Sequence, residues 1–394
     1  MPSFQWYIRS MRSLSPFIER DLMKKMVFLS GPRQVGKTTL AKQLLQRVGG
    51  QYYNWDFAED REEILKKSFI HHKCVVLDEL HKYERWKNFL KGTYDKYRDT
   101  LQMLVTGSAR LDVYRRGGDS LVGRYFLFHL HPFTCGELLR PDRIGRPEEL
   151  LIAQETLYSY DGFEQLLTFG GFPEPFFAAT KEAHSRWSLQ RRELLVREEI
   201  RDLTNISLLT LVEHLLLLLP SRIGSLLSIN SLKEDLQVAY NTVRQWLEVL
   251  ERLYIIFTLK PYTTNISRSI HKEKKVYLWD WSQVTDEGAR FENMVASHLF
   301  KAVSLWRDLG YGDFDLSFLR DRERREVDFC LTKDRRPWLL VEAKLAEVRP
   351  EDSLISFSER LQVPAVQLVQ RPGVDKRVGN IRIASAASWL STLP

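Results

Sequence analysis

The sequence predicts an α/β fold with several domains, and three observations support this. The chain has 394 residues, which is too long for one core and suits two or three domains. Residues 31–39 read GPRQVGKTT between an apolar and a helical stretch, and residues 75–80 read VVLDEL. Near residue 330, two stretches of alternating apolar and polar residues predict paired strands. With 44% hydrophobic and 28% charged residues, the composition is that of a folded globular protein.

Hydropathy, cysteine spacing and charge narrow the function classes. The longest apolar run, Leu215–Leu219, is far shorter than the roughly 20 residues that cross a bilayer, so no membrane partner is expected. The first residues lack a signal-peptide core, and Cys74, Cys135 and Cys330 have neither disulfide-framework nor zinc spacing. We therefore expect a cytoplasmic protein. The net charge of +7 mildly favours a polyanionic partner.

The motif in residues 31–39 predicts a phosphate-binding loop. A short apolar strand precedes it and a helical stretch follows, which is the context that G-x-x-x-x-G-K-S/T requires. Gly31 and Gly36 let backbone N–H groups face phosphates. Lys37 is expected to hold the β- and γ-phosphates of ATP, and Thr38 is expected to bind Mg²⁺. The residues expected to contact the nucleotide are Gly31, Pro32, Arg33, Gln34, Val35, Gly36, Lys37, Thr38, Thr39 and Asp78.

Two carboxylates stand at the end of a strand predicted within residues 74–80. Asp78 is expected to orient Mg²⁺, and Glu79 is expected to polarise the attacking water as the catalytic base. Both would lie at the carboxyl ends of the strands, where open α/β sheets place their ligands. The alternative is a strand followed by a helix N-cap that happens to be acidic.

Two further groups are candidates for catalysis. A third predicted strand, residues 101–106, ends in small polar residues, so Ser108 or Thr106 is expected to touch the γ-phosphate or the attacking water. Arg124 stands just ahead of an alternating apolar strand. In a ring-shaped ATPase this edge faces the neighbouring subunit, where Arg124 could stabilise transition-state charge in trans. The alternative is a surface arginine paired with a local acid.

The order of GPRQVGKTT, VVLDEL, TGSAR and GRYFLFHLHPF resembles that of AAA-family ATPases. More narrowly, GRYFLFHLHPFTCGEL and GGFPEPFFA resemble a prokaryotic group of AAA-type ATPases whose C-terminal domain was first classed as of unknown function. The resemblance covers nearly the whole chain. It implies an ATPase core that uses ATP and Mg²⁺, a homo-oligomeric ring for which a hexamer is one form, and associations with DNA.

The chain after the predicted ATPase core, residues 1–130, divides into three further predicted domains. Prolines interrupt the pattern at 132 and at 141–147, and helical stretches follow at 149–168 and 180–203. We interpret residues 131–204 as a helical lid. Residues 205–262 have the outline of a winged helix-turn-helix, and residues 263–394 are predicted to form the last domain.

The winged helix-turn-helix outline includes two short helices. Ser231 and Glu234 are expected to form a capping box for the first, and Asn241 is expected to cap the second. The second helix has one apolar face, formed by Val243, Trp246, Leu247 and Leu250. The residues left outward, which are expected to contact phosphates or base edges of DNA, are Arg244, Gln245 and Arg252. The alternative is a module that only packs against protein.

The last domain is predicted as an α/β restriction-endonuclease-like fold. Glu326–Leu331 and Trp338–Leu345 predict two strands joined by a polar turn, and antiparallel pairing would bring three charged side chains together. The constellation resembles the PD-(D/E)xK nuclease core, in which carboxylates hold Mg²⁺ beside the scissile phosphate and a lysine positions water. The residues of this possible metal site are Asp328, Glu342, Lys344 and, from a helix, Glu292. The alternatives are an exposed charged hairpin or a nuclease-like fold retained for binding alone.

The combined hypothesis is an ATPase that binds DNA, with branched and single-stranded forms among the candidates. It would couple hydrolysis to DNA remodelling or processing in repair, recombination or defence. The alternative is a nucleotide-gated switch that acts on a protein partner, with the C-terminal domain as a non-cleaving binding module. Stimulation of ATP hydrolysis by DNA separates the two hypotheses.

Overall fold

A computed structural model describes residues 12–107, 121–140, 144–152, 160–200, 209–263, 273–346 and 349–394. The described residues fall into two units: the first lies within Met1–Pro132 and Arg140–Ile144, and the second within Phe133–Leu139 and Gly145–Pro394. Among the helices of these ranges, none is both long and apolar enough to span a membrane. The division into four domains stays a prediction.

A five-stranded parallel sheet forms the centre of the first unit, in the order β2-β3-β4-β1-β5. Its strands are β1 Met26–Ser30, β2 Gln51–Asn54, β3 Cys74–Asp78, β4 Gln102–Thr106 and β5 Tyr125–His129. Four helices accompany them: α1 Ser15–Leu22, α2 Lys37–Val48, α3 Ala58–Lys66 and α4 Trp86–Tyr97. Every residue of β1 and β3 is buried, as expected for continuous apolar strands in a sheet covered on both faces.

The parallel pairing brings three strand ends to one edge of this sheet. The loop after β1 leads into α2, β3 ends at Asp78, and β4 ends at Thr106 in register with it. The predicted strand, loop and helix around residues 31–39 are therefore confirmed.

Helices dominate the first part of the second unit. They are α5 Cys135–Leu139, α6 Pro147–Ile152, α7 Tyr160–Phe169, α8 Pro173–Ala178, α9 Lys181–Leu194, α10 Leu209–Leu218, α11 Ile229–Leu236, α12 Tyr240–Arg252 and α13 Glu287–Asp308. A π-helical stretch, Leu195–Ile200, continues α9. The predicted helical stretches at 149–168 and 180–203 thus correspond, in their described parts, to α6, α7, α9 and this π-helix.

The segment Phe133–Leu139 follows the last strand of the first unit but belongs to the core of the second. Its Cys135 N donates to His298 Nε2 at 3.0 Å, and Lys301 Nζ donates to Glu137 Oε2 at 2.7 Å. Gly136 packs so closely that a Cβ there would lie 1.8 Å from Leu393 O. This segment therefore folds as part of the second unit.

Helices α11 and α12 are joined by a short turn and begin at other residues than predicted. Ser228 Oγ accepts from Ser231 N at 3.2 Å, so Ser228 is the N-cap of α11 and the predicted capping box at Ser231 is wrong. Ala239 occupies the N-cap position of α12, so Asn241 lies inside that helix. The predicted apolar face of α12 is confirmed, because Val243, Trp246, Leu247 and Leu250 are all buried.

An eight-stranded mixed sheet completes the second unit, in the order β12-β13-β11-β10-β9-β8-β6-β7. Its strands are β6 Ile256–Pro261, β7 Lys275–Leu278, β8 Phe314–Arg320, β9 Glu326–Lys333, β10 Arg336–Lys344, β11 Ala365–Val369, β12 Asp375–Val378 and β13 Ile381–Ser385. Two helices, α14 Asp352–Leu361 and α15 Ala386–Leu390, accompany its later strands. The predicted hairpin is confirmed, since β9 and β10 pair antiparallel.

The strand that follows α12 is shared between two pairings. β6 pairs antiparallel with β7 and parallel with β8. The β-rich stretch after the helix pair is therefore an integral part of the eight-stranded sheet, and β6 and β8 lie between β7 and the two strands that carry the predicted acidic residues.

Candidate functional site

The loop between β1 and α2 has a backbone that only specific residues allow. Gly31 has φ +145°, and a Cβ at this position would lie 2.3 Å from Leu130 O. Gly36 has φ +99° and directly precedes α2. Because L-residues with side chains rarely adopt such angles, the two glycines fix the loop so that the first N–H groups of α2 are available to an anion.

The lysine of the loop is held inside it. Lys37 is 8% exposed, and its Nζ donates to Gly31 O at 2.9 Å and to Pro32 O at 2.7 Å. These two carbonyl oxygens are acceptors that phosphate oxygens could replace. The ammonium group is therefore already directed into the loop.

An arginine outside the motif also fixes the loop, and no sequence pattern predicted it. Arg12 is 6% exposed. Its Nη1 donates to Val35 O at 2.9 Å and its Nη2 donates to His131 O at 2.5 Å. It thereby links the loop to the residues that follow β5.

Asp78 is the centre of a hydrogen-bond network at the sheet edge. Thr38 Oγ1 donates to Asp78 Oδ2 at 2.7 Å, so the structure brings the two predicted Mg²⁺ residues together. Tyr52 OH donates to the same oxygen at 2.7 Å, and Thr106 Oγ1 donates to Asp78 Oδ1. Burial, reinforced by Asp78, raises the pKa of Tyr52 above its ordinary value.

Sequence reasoning missed Tyr52. Its strand, β2, lies beside β3 in parallel register, with Tyr52 opposite Val76. A polar residue on the strand next to the one that ends at Asp78 would have indicated Tyr52. The neighbour of a strand cannot be identified from sequence, however, before the order of strands in the sheet is known.

Glu79 follows β3 with a left-handed backbone, φ +56°. Burial raises the pKa of its carboxyl group above the ordinary value, and nearby Lys82 acts in the opposite direction. Lys82 Nζ lies 3.3 Å from Glu79 Oε2 and donates to Asp56 Oδ1 at 2.8 Å and Oδ2 at 2.6 Å. The predicted base is thus next to Asp78 in the chain, and its carboxylate pairs with Lys82.

The other predicted catalytic residues have different outcomes. Ser108 lies outside the described residues. Arg124 forms a two-pronged ion pair with Asp95 of α4, at 2.7 Å from Nε to Oδ1 and 3.0 Å from Nη2 to Oδ2. This is the local acid of the alternative interpretation, and a role of Arg124 in trans stays a prediction.

The remaining loop residues differ in exposure. Pro32 and Val35 are buried, Arg33 is half-buried, and Gln34 and Thr39 are exposed. Their predicted contacts with nucleotide stay predictions. The residues of this edge fit ATP with Mg²⁺. The Lys37 ammonium group faces the glycine loop, where it can meet phosphate oxygens. The Thr38 hydroxyl lies against the Asp78 carboxylate, and both groups supply the oxygen ligands that Mg²⁺ prefers.

A second cluster of ionisable groups lies in the eight-stranded sheet. We call Glu292, Glu326, Asp328 and Glu342 the acidic cluster. The side chain of Lys275, on β7, is 1% exposed, and its Nζ lies 2.6 Å from Glu326 Oε1. The same Nζ lies 3.3 Å from Glu292 Oε1 and 3.3 Å from Asp328 Oδ1. Burial alone would lower the pKa of Lys275, but these carboxylates more than offset it and raise that pKa.

The structure brings together the charged residues predicted on the hairpin. Asp328 N donates to Glu342 Oε2 at 3.1 Å, and Ala343 N donates to Asp328 Oδ2 at 3.1 Å. Lys344 Nζ lies 3.1 Å from Glu342 Oε1 and 3.4 Å from Glu351 Oε1. Burial, with the charge of Asp328 next in size, raises the pKa values of Glu342 and Glu292.

The predicted metal site at Asp328, Glu342, Lys344 and Glu292 stays a prediction. Within the described parts of the chain, no group of three or more His, Cys, Asp and Glu residues is arranged to hold a metal ion. The Lys275 ammonium lies between Glu292, Glu326 and Asp328. Sequence reasoning missed Lys275, which lies far from the hairpin in the chain.

The residues predicted to contact DNA are on the outer face of α12. Arg244, Gln245 and Arg252 are all exposed. Arg244 Nε lies 3.9 Å from Glu248 Oε1, one turn further along the helix. The predicted outward orientation is confirmed, and contact with DNA stays a prediction.

Comparisons with known families agree with the first unit. Residues 23–139 match a family model described as an AAA domain, which together with the loop and the Asp78 network supports an AAA-type P-loop ATPase region at the N-terminal side. Residues 160–285 match a domain of unknown function (DUF8612). Residues 287–387 match another domain of unknown function (DUF4143), so the C-terminal domain suggested by the resemblance is present.

The chain is also similar to uncharacterized proteins. One from Mycobacterium tuberculosis is 23% identical over 262 residues, which cover 65% of this chain and 54% of that protein, and one from Mycobacterium bovis matches equally. One from Methanocaldococcus jannaschii is 23% identical over 334 residues, which cover 72% of this chain and 69% of that protein. The chain spans about half the length of the mycobacterial relatives it matches.

Proposed function

We propose that this protein is a cytoplasmic ATP hydrolase that binds DNA and couples hydrolysis to DNA remodelling or processing. The observation that carries the proposed ATP hydrolysis is the Thr38–Asp78 hydrogen bond of 2.7 Å. It lies at the edge of the sheet where the loop after β1 leads into α2. A hydroxyl and a carboxylate in contact beside a phosphate loop are the groups that hold Mg²⁺ in P-loop hydrolases.

The residues of this chain have distinct tasks in the proposed reaction. Lys37 exchanges its two carbonyl partners for phosphate oxygens, and the N-terminus of α2 adds its N–H groups. Thr38 and Asp78 would hold Mg²⁺, which when bound neutralises charge on the β- and γ-phosphates. Thr106 and Tyr52 keep the Asp78 carboxylate in place through their hydrogen bonds.

Glu79 is the proposed base that orients the attacking water. Burial raises the pKa of its carboxyl group, which makes the carboxylate a better proton acceptor near neutral pH. Its ion pair with Lys82 involves Oε2, so Oε1 is the oxygen proposed to orient water. Lys82 also pairs with Asp56.

DNA is proposed as the partner because α12 presents cationic side chains on the face opposite its buried one. Arg244 and Arg252 are exposed while Val243 and Leu250 are buried. In winged helix-turn-helix proteins the second helix of the pair enters the major groove, and we assign that role to α12.

The second candidate function is a nucleotide-gated switch that acts on a protein partner. It is favoured by the acidic cluster, in which an internal lysine satisfies the carboxylates, as suits a restriction-endonuclease-like fold retained for binding. If the protein is such a switch, the exposed face of α12 contacts the protein partner.

One experiment separates the two functions. ATP hydrolysis by the full chain is measured with duplex, single-stranded and branched DNA, and Lys37→Ala serves as the control for contaminating activity. Stimulation by at least one DNA form, absent in Lys37→Ala, supports the DNA-coupled ATPase. An ATPase that no DNA form stimulates favours the protein-directed switch, and absence of hydrolysis in every condition contradicts both.

A further inference from the structure

We propose that Lys275 is a built-in cation of the acidic cluster: its ammonium group occupies the position that a divalent metal ion would take, so the cluster is complete without metal and accepts a divalent cation only when Lys275 is replaced. This inference does not depend on the proposed ATPase activity. It concerns the eight-stranded sheet alone.

The first support is the match between donors and acceptors at Lys275. An ammonium group has three N–H donors and no acceptor. Three carboxylate oxygens surround it, one each from Glu326, Glu292 and Asp328, at 2.6, 3.3 and 3.3 Å. The side chain is 1% exposed. Every donor of this buried cation therefore has a carboxylate acceptor.

The second support is that the remaining oxygens of Glu326, Asp328 and Glu342 are also engaged. Asp328 Oδ2 accepts from Ala343 N, and Glu326 Oε2 accepts from Arg320 Nη1 at 2.7 Å. Glu342 Oε2 accepts from Asp328 N, and its Oε1 pairs with Lys344. A metal ion would have to take these lone pairs from existing partners.

The third support is the size of the space. Mg²⁺ and Ca²⁺ bind oxygens at roughly 2.0 to 2.6 Å, and the ammonium of Lys275 stands where such contacts to Glu292, Glu326 and Asp328 would converge. Two cations cannot share that point, because their repulsion is strong in a buried environment. Metal binding would require the ammonium to leave.

Tyr277 lies two residues further along β7 and supports the same arrangement. Its hydroxyl donates to Glu292 Oε1 at 2.8 Å, the oxygen that also faces Lys275. Side chains two apart on a strand share a face, so β7 contributes both the Lys275 cation and a second hydrogen-bond donor to Glu292. The strand that completes the cluster is therefore the one on the outer edge of the sheet.

Removing Lys275 should leave carboxylates buried together without a counter-ion. Loss of one partner from a buried ion pair is strongly destabilising, and a divalent cation is the simplest group that can relieve it. Lys275→Met keeps the length of the side chain and removes its charge. The variant is expected to be less stable than wild type without metal and to regain stability with Mn²⁺.

The test uses the full chain without nucleotide and Mn²⁺ as the probe, followed by calorimetric titration and thermal unfolding. Lys275→Met should show a Mn²⁺ site at least about tenfold tighter than any site of wild type, with a Tm that rises with Mn²⁺ concentration. The added Asp328→Asn should abolish that site. Lys344→Met is the matched control, since it removes the other lysine of the cluster and should gain no such site.

Three outcomes would overturn the proposal. They are a folded Lys275→Met without a new Mn²⁺ site, an equal gain in Lys344→Met, and a wild-type Mn²⁺ site that Asp328→Asn removes. The comparison of wild type with Asp328→Asn needs no change at Lys275, so it remains decisive if Lys275→Met fails to fold. In that case, equal Mn²⁺ binding by wild type and Asp328→Asn supports the proposal.

Discussion

At the residue scale, the proposed nucleotide site separates the groups expected to hold ligand from the group expected to activate water. Lys37 is directed into the loop and Asp78 is fixed by three hydroxyl groups. Glu79 pairs with Lys82 at the edge of this network, and His81 Nε2 lies 3.7 Å from the same carboxylate oxygen. Substitutions at these positions should therefore affect different steps.

The first prediction concerns Glu79 and Lys37. Glu79→Gln should bind ATP as wild type does and hydrolyse it at least about a hundredfold more slowly, because an amide cannot accept the water proton. Lys37→Ala should instead weaken ATP binding by removing the phosphate cation. Equilibrium binding of a fluorescent ATP analogue and single-turnover phosphate release measure the two effects separately. Normal turnover by Glu79→Gln would show that another group is the base.

The motif residues could be predicted because local spacing determines them, and their partners could not. Lys37 and Thr38 follow from the loop motif, and Asp78 follows from an apolar strand that ends in acid. Arg12, Tyr52 and Lys275 act at the sites from distant parts of the chain. Their contacts depend on which strands and loops become neighbours, and this is a tertiary property that no local pattern encodes.

At the element scale, α13 connects the second unit through buried polar side chains. His298 accepts from Cys135 N through Nε2, and its Nδ1 donates to Met294 O at 2.8 Å. Burial lowers the pKa of His298 from its ordinary value of 6.5 to about 3. The histidine is therefore neutral in the folded protein at physiological pH.

The second prediction is an acid-dependent loss of stability through His298. Below pH 6.5 His298 is protonated in the unfolded chain, whereas in the folded chain it stays neutral down to about pH 3. Stability is fully present above pH 6.5 and falls with decreasing pH, by up to about 1.4 kcal/mol per pH unit. The amide of His298→Gln can keep both hydrogen bonds. In urea unfolding, the free energy of unfolding of this variant should depend less steeply on pH than that of wild type, by the equivalent of about one proton taken up on unfolding.

The control for this prediction is His214→Gln on α10. His214 is exposed, so its replacement should leave the slope of wild type nearly unchanged. If His298→Gln and wild type lose stability in parallel as pH falls, His298 is not the group responsible.

The third prediction concerns the outer face of α12. Neutralising Arg244 and Arg252 together should weaken DNA binding and reduce the slope of log affinity against log salt by about one unit for each lost phosphate contact. Fluorescence anisotropy at several salt concentrations gives this slope. The double variant Lys66→Gln, Arg98→Gln removes the same charge from exposed positions of the first unit and should keep the slope of wild type. An unchanged slope in the α12 variant would favour the protein-directed switch.

Elements were easier to predict than their ends. The apolar periodicity of α12 correctly predicted its buried face, and alternation correctly predicted the β9–β10 hairpin. The start of α11 was wrong by a few residues because both Ser228 and Ser231 are good caps by type. Only the extended backbone of Ser228 allows its hydroxyl to accept from Ser231 N.

At the scale of the whole molecule, the predicted role of Arg124 in trans requires that several chains assemble. Within one chain its guanidinium is bound to Asp95 in two-pronged geometry. An arginine that acts in trans must leave that partner when subunits associate. A homo-oligomeric ring, hexameric in one form, stays a prediction.

The fourth prediction distinguishes assembly from local pairing. Arg124→Ala should bind ATP but hydrolyse it poorly, and mixing it with Glu79→Gln should restore part of the activity, because each variant supplies what the other lacks at a shared site. Asp95→Asn is the control: it breaks the same ion pair and should retain hydrolysis if Arg124 acts in trans. Equal defects in Arg124→Ala and Asp95→Asn, without rescue on mixing, would identify a purely structural ion pair.

The overall topology could be predicted only in part. Strand, loop and helix at the start predicted the parallel sheet of the first unit. The eight-stranded sheet was not predicted, because β6 and β7 are separated from β8 by the long helix α13. The pairing of β6 with β8 is non-local, and sequence alternation cannot specify which distant strand a β-strand joins.

The buried pair of Lys301 and Glu137 decides where this protein can be cut into independently expressed halves. A fragment starting at residue 145 would keep the lysine and lose its carboxylate, and breaking a buried pair in this way costs about 3–5 kcal/mol. A fragment starting at Phe133 would retain Thr134, Cys135 and Glu137 against α13. A fragment that contains the second unit should therefore start at or before Phe133. This start lies upstream of residue 139, where the AAA match ends.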